Sequence, residues 1–154
     1  MNRLEVLREH IDGVLLRMED HRERRIAYLL YGVSQFCALI ALRRGEDAEL
    51  ATMAGMLHDF YAYKNMDAEG HAEKGAVLAR EVLGELRLTS PEETDLICSA
   101  IHNHSSKGVV HSAFDEVLVD ADVMQHCLYN FAFPVMENEK ERFAKLAREF
   151  ALAV

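Results

Sequence analysis

Leu50-Ala51-Thr52-Met53-Ala54-Gly55-Met56-Leu57-His58-Asp59 is the stretch on which the reading of this chain turns. The run from Leu50 to Leu57 is apolar apart from one threonine, and Asp47 stands before it as a plausible N-cap. It reads as a buried helix that ends in an imidazole and a carboxylate. Neighbours on a helix point about 100° apart, so both can reach one ion only where the helix ends or bends. The following Phe60-Tyr61-Ala62-Tyr63-Lys64 is consistent with a helix that is finishing. Further along come His71, His102, His104 and Asp120-Ala121-Asp122. Imidazoles and carboxylates placed where apolar helices end point to a metal site inside a helical bundle. Neutral imidazole and carboxylate oxygen together suit Zn, Mn, Fe or Co.

Helical spacing dominates outside that stretch. Leu4, Leu7, Ile11, Leu15 and Met18 mark a first helix, and Ile26, Leu29, Leu30, Val33, Cys37, Ile40 and Ala41 a longer second one. Arg43-Arg44-Gly45 ends the second with cations in its last turn and glycine beyond. A helix from near Gly70 carries His71, Val77, Leu78, Val82 and Leu83, with Gly84 as its expected stop. Ser90-Pro91-Glu92-Glu93 combines an N-cap serine, proline at the first helical position and a capping-box glutamate. The helix it opens leads through Ile97 and Ile101 to His102 and His104. Asp115 is the expected cap of a helix through Leu118, Ala121, Met124 and Leu128. Asn130 to Pro134 breaks the pattern before a last helix with Phe143, Leu146 and Phe150. The expectation is an all-α bundle of about six or seven helices, with residues 1–154 read as a single domain.

Bulk properties narrow the function. The chain has 154 residues, half of them hydrophobic, so a full core is within reach and disorder is disfavoured. Its net charge of −9 repels a phosphate backbone, so bulk nucleic-acid binding is not expected. A small phosphorylated substrate stays compatible, because a bound cation reverses the field locally. The three cysteines, Cys37, Cys98 and Cys127, lie far apart without a Cys-x-x-Cys spacing, and read as reduced thiols in a cytoplasmic protein. The charged start Met-Asn-Arg-Leu-Glu-Val-Leu-Arg-Glu is not that of a signal peptide, and no membrane span is expected. Oligomeric state is not legible in the sequence.

In order and spacing, these elements resemble the HD-domain superfamily of metal-dependent phosphohydrolases. The strongest likeness is Gly45 to Phe60, a glycine turn leading to a helix that ends in Leu57-His58-Asp59. His71-Ala-Glu-Lys-Gly-Ala resembles the start of the family's next helix, Ala100-Ile101-x-x-His104-Ser105 its following histidine, and Val119-Asp-Ala-Asp122-Val-Met124 its closing element. The resemblance covers about residues 26–130. One feature departs from it. Such domains carry a first histidine about thirty residues before His-Asp, and counting back from His58 reaches Leu29, Leu30 and Tyr31; the nearest upstream imidazole is His21.

By this resemblance His58, Asp59 and Asp122 would hold a divalent ion (Mn, Fe, Zn, Co, Ni or Mg), with His58 and Asp59 also carrying the chemistry. His71 and His104 would bind a second ion or contact phosphate. His21, His102 and Asp120 are further candidate ligands, and Lys64, Lys74 and Lys107 are candidates for neutralising phosphate oxygens. His10, His111 and His126 lack ligand-like spacing and read as ordinary surface or core residues. The implied activity is hydrolysis of a small phosphate ester, with a nucleotide among the candidates, by metal-activated water. The alternative is a catalytically degenerate module that binds metal or nucleotide without turnover. A third reading is a plain helical interaction protein.

Overall fold

The computed structural model describes residues 2–130 and 132–153; Phe131, inside the expected break after Asn130, lies outside the described residues. The chain is all α-helical among these residues, as its spacing predicts. Seven helices of ten residues or more are α1 (Arg3–Leu15), α3 (Leu29–Arg44), α4 (Ala48–Leu57), α6 (His71–Leu86), α7 (Pro91–Asn103), α8 (Ala113–Tyr129) and α9 (Lys140–Glu149). Two short ones are added, α2 (His21–Ala27) and α5 (Phe60–Asn65), with a 3-10 turn at Glu137–Glu139 before α9.

Local chemistry sets most of the ends. Asn2, Asp20, Asp47 and Ser90 each accept backbone N–H groups at the start of α1, α2, α4 and α7. The capping box at Ser90 and Glu93 is fully formed. Gly45 closes α3 in the left-handed conformation, φ 77°. Two expected ends differ. α6 runs past Gly84 and stops at Arg87, which takes the left-handed conformation itself. α8 is capped by Ser112 rather than Asp115, because the Asp115 carboxylate is buried and accepts from Ser99 Oγ and Asn103 Nδ2 on α7.

The core is centred on α4, whose residues Leu50 to Leu57 are all buried. α3 and α8 pack on it and on each other, while α7 touches both α4 and α8 and carries α6 on its other flank. Gly55 marks the closest approach of α4 to α3: a Cβ there would lie 2.6 Å from Ser34 Cα. α2 and α3 run on almost without a break, and the 24 residues His21–Arg44 are long and apolar enough to span a bilayer, contrary to the sequence expectation. In the bundle, Leu30, Val33, Cys37, Ile40 and Ala41 of that stretch are core residues, so its hydrophobicity is used in packing. α9 is tied to the rest through Arg142. Its guanidinium donates to Glu116 and Asp120 on α8, and to the carbonyls of Lys107 and Val109 in the loop after α7.

Candidate metal centre

The end of α4 is where the site begins. His58 caps its C-terminal end, still in the αR region, and Asp59 leaves that region at φ −110°, ψ 9° before α5 starts. That break lets the two neighbours face one another across one space, with His58 Nε2 3.5 Å from Asp59 Oδ2. His71 arrives from the first turn of α6 and His104 from the end of α7. Asp59 Oδ1, His71 Nε2 and His104 Nε2 form a nearly equilateral triangle with sides of 3.3, 3.3 and 3.4 Å. Asp122, from the middle of α8, places Oδ1 3.8 Å from His58 Nε2. The five residues expected to meet therefore lie together, with Asp59 offering one oxygen to each half of the cluster.

All three imidazoles are oriented by the same device. Nδ1 of His58, His71 and His104 lies 2.7, 3.1 and 2.6 Å from the carbonyl three residues earlier, at Gly55, Ala68 and Ile101. Those bonds assign the ring proton to Nδ1 and leave the Nε2 lone pairs converging on the Asp59 carboxylate, the arrangement that metal-ligating histidines need. Asp59 Oδ1 is fully buried and lacks a hydrogen bond of good geometry. Three acceptor atoms facing one another within 3.4 Å repel unless a cation or a proton lies between them.

The electrostatics agree. Burial pushes the His58 pKa down, against the pull of the Asp59 carboxylate. Burial opposes the Asp59 carboxylate, but His58, then His104 and His71, outweigh it and hold Asp59 well below the usual range. Burial also opposes charge on His104, yet the Asp59 carboxylate raises it. Asp122 is held low in the same way: burial is overcome by His58 and Lys107. The cluster calls for positive charge.

The other candidates are scattered. His21 sits at the start of α2 against Arg24, and exposed His102 faces away from the cluster. Asp120 is paired with Arg44 at 2.8 Å and with Arg142 at 2.9 Å. Lys64 and Lys74 line one groove of about 380 Å³ beside Tyr61, and Lys74 is held by Asp67 at 2.9 Å. Lys107 is buried between two carboxylates, 2.8 Å from Asp122 Oδ2 and in contact with Glu139. Two residues that the sequence does not offer as ligands also adjoin the site, His126 and Glu139, the latter buried although its acidic stretch reads as a solvated helix start. His126 Nε2 is 3.4 Å from Asp122 Oδ1, and its Nδ1 is 2.9 Å from buried Glu139. The spacing Asp122-x-x-x-His126 puts both on one helix face and is the signal that could have found His126. Glu139 has no such signal, since a turn brings it in from beyond α8.

Donor atoms bound to one transition-metal ion at about 2.1 Å lie roughly 3.0–3.4 Å from each other. Separations of 3.3 and 3.4 Å at Asp59 Oδ1 fit that spacing, and His58 at 3.5 Å from Oδ2 is close to it. The cavity at His58, Asp59 and Asp122 is small, about 60 Å³, and is closed on the α3 side by Leu29, Leu30 and Val33. It has room for an ion and a water or two. Tyr31, the third residue near the expected first histidine, turns away and donates to Asp12 at 2.6 Å. The open side is that of Asp59 and His71, each with a side chain 28% exposed.

Comparison with known proteins converges on the same elements. The chain is 28% identical over 115 residues to ribonuclease Y of Staphylococcus epidermidis, and 29% identical over 115 residues to ribonuclease Y of Listeria monocytogenes. Each match covers 74% of this chain but 20% of the relative, so the chain spans about a fifth of the length of these curated relatives. No solved structure gives a significant match. The sequence model of the HD domain matches residues 30–126, from Leu30 at the cavity wall to His126 beside Asp122. This chain belongs to the HD-domain family of metal-dependent phosphohydrolases.

Proposed function

We propose that the chain hydrolyses a small phosphate ester at this centre, with Asp59, His58, Asp122, His71 and His104 as the metal-holding set. One observation carries the reading: the buried Asp59 Oδ1, without a hydrogen bond, faces two Nε2 atoms at 3.3 and 3.4 Å. These residues would hold a divalent ion, which would supply acidified water and stabilisation of charge on a phosphoryl group. The protein's own part is to aim the ring nitrogens through their Nδ1 bonds. Lys107 balances the charge on Asp122 and Glu139. The 60 Å³ cavity is too small for a substrate, so the phosphate approaches from the open side at Asp59 and His71. The net charge of −9 favours a small substrate over a long polyanion. The three free buried thiols fit a reducing, cytoplasmic setting.

A second reading has its own support. The α3 side offers leucines where the resembling domains offer a histidine, which favours a degenerate module that binds without turnover. One experiment separates the two. Protein purified without a metal-affinity tag is analysed for bound metals. It is then assayed on p-nitrophenyl phosphate, bis-p-nitrophenyl phosphate, nucleotides and a short RNA with Mn, Co, Ni, Fe or Mg. Turnover lost in Asp59→Asn and Asp122→Ala supports the hydrolase. Metal binding without turnover of any substrate supports the module, and the absence of both metal and turnover removes either reading. Hydrolysis of the RNA alone would overturn the small-substrate assignment and align the chain with the activity named in ribonuclease Y.

A further inference from the structure

We infer that His126 supplies the metal ligand that α3 lacks, completing one ion position with His58, Asp59 and Asp122. The inference deepens the metal-centre reading above and rests on it. Asp122 Oδ1 stands between two imidazole nitrogens, His58 Nε2 at 3.8 Å and His126 Nε2 at 3.4 Å. The other oxygen, Oδ2, is held by Lys107 at 2.8 Å, so Oδ1 is the one free to bind an ion. His126 itself is set up as a ligand. Its Nδ1 faces a carboxylate oxygen of Glu139 at 2.9 Å, which places the ring proton on Nδ1 and turns the Nε2 lone pair toward Asp122. Carboxylate–histidine–metal relays of this kind fix the tautomer and raise the basicity of the ligating nitrogen.

Burial supports the same role. Glu139 is 1% exposed, and its second oxygen has no hydrogen-bond partner. A carboxylate so deeply placed is costly unless its charge is used, and it is used on Lys107 and His126. His126 also lines the small cavity together with His58, Asp59 and Asp122 and with the leucines of α3. A ligand lost from one wall of the cavity is thereby matched by an imidazole on another. His58, Asp59, Asp122 and His126 would then offer four nitrogen and oxygen donors, a set typical of transition-metal sites.

The test uses the full chain, stripped with a chelator and titrated with Co(II). Affinity and the visible d–d absorption are the readouts, for the wild type, His126→Ala and His111→Ala. The His126 side chain is 41% exposed, so its removal leaves the core intact, which thermal melting of the stripped protein checks. The expected result is a tenfold or greater rise in the Co(II) dissociation constant for His126→Ala. A changed d–d band should accompany it, and His111→Ala should match the wild type. Glu139→Gln should weaken binding in the same direction with the band less altered, since it orients the ligand without touching the ion. A His126→Ala affinity within twofold of wild type overturns the inference and leaves the metal centre standing. A wild type that binds no Co(II) overturns both.

Discussion

Replacing Gly55 by alanine should loosen the core and misaim the first metal ligand together. The added Cβ would lie 2.6 Å from Ser34 Cα, 2.9 Å from Ser34 N and 3.0 Å from Cys37 Sγ. Carbon contacts are comfortable near 3.5–4.0 Å, so α3 and α4 must separate by about 1 Å at their crossing. The obstacle is the backbone of a buried helix, which cannot rotate aside, so the strain belongs at the upper end of over-packing costs, about 3 kcal/mol. Exchanging glycine for alanine within a helix returns about 1 kcal/mol. The net loss of about 2 kcal/mol corresponds to a fall in Tm of about 4–8 °C for a chain of this size. The assay is thermal unfolding by far-UV circular dichroism in chelator, at one protein concentration. Because the Gly55 carbonyl holds His58 Nδ1 at 2.7 Å, Co(II) affinity should weaken as well. A Gly55→Ala protein that melts at or above the wild-type temperature would refute the close-crossing argument.

Gly84→Ala is the opposite case: nothing lies within 4 Å of the added carbon on α6, so stability should rise by about 0.5–1 kcal/mol in the same melting assay. Ser90→Ala removes the oxygen that accepts from Glu93 N and should cost about 1 kcal/mol, read as a lower denaturation midpoint at unchanged m-value. Co(II) at a hundred times its dissociation constant should stabilise the wild type by about 2.7 kcal/mol, a shift that Asp122→Asn should largely lose in calorimetry. Burial opposes charge on Glu116, but Arg142 and the His111 N–H outweigh it and hold its pKa below the ordinary 4.5. A depressed carboxylate stabilises the fold above its unfolded pKa and loses that contribution as pH falls through the folded one. The stability gap between wild type and Glu116→Gln should therefore be constant above about pH 5 and shrink on acidification. A gap that widens in acid would contradict the pairing.

The features legible in the sequence were those set by neighbours in the chain. Asp47 and Ser90 cap their helices through bonds spanning three residues, and the run from Leu50 to Leu57 is buried because every face of it is apolar. The meeting of His58, Asp59, His71, His104 and Asp122 was foreseeable through their order, not their geometry. What escaped depends on distant partners. Asp115 looks like a cap until Ser99 and Asn103 claim its carboxylate. Lys107 looks like a free phosphate-binding cation until Asp122 and Glu139 enclose it. Gly84 looks like a helix end, but α6 continues one turn and Arg87 absorbs the left-handed step. His126 stayed hidden because its interest lies in Glu139, thirteen residues on and around a turn.

Arg142 lies outside the 97-residue span 30–126 that matches the family, yet it grips the carbonyls of Lys107 and Val109 inside it. The loop that delivers Lys107 to Asp122 thus leans on a guanidinium from α9, a helix outside the matched span. A graft of the matched span into another HD protein would arrive without its own anchor. Its ammonium would be free to wander from the very carboxylate it neutralises here.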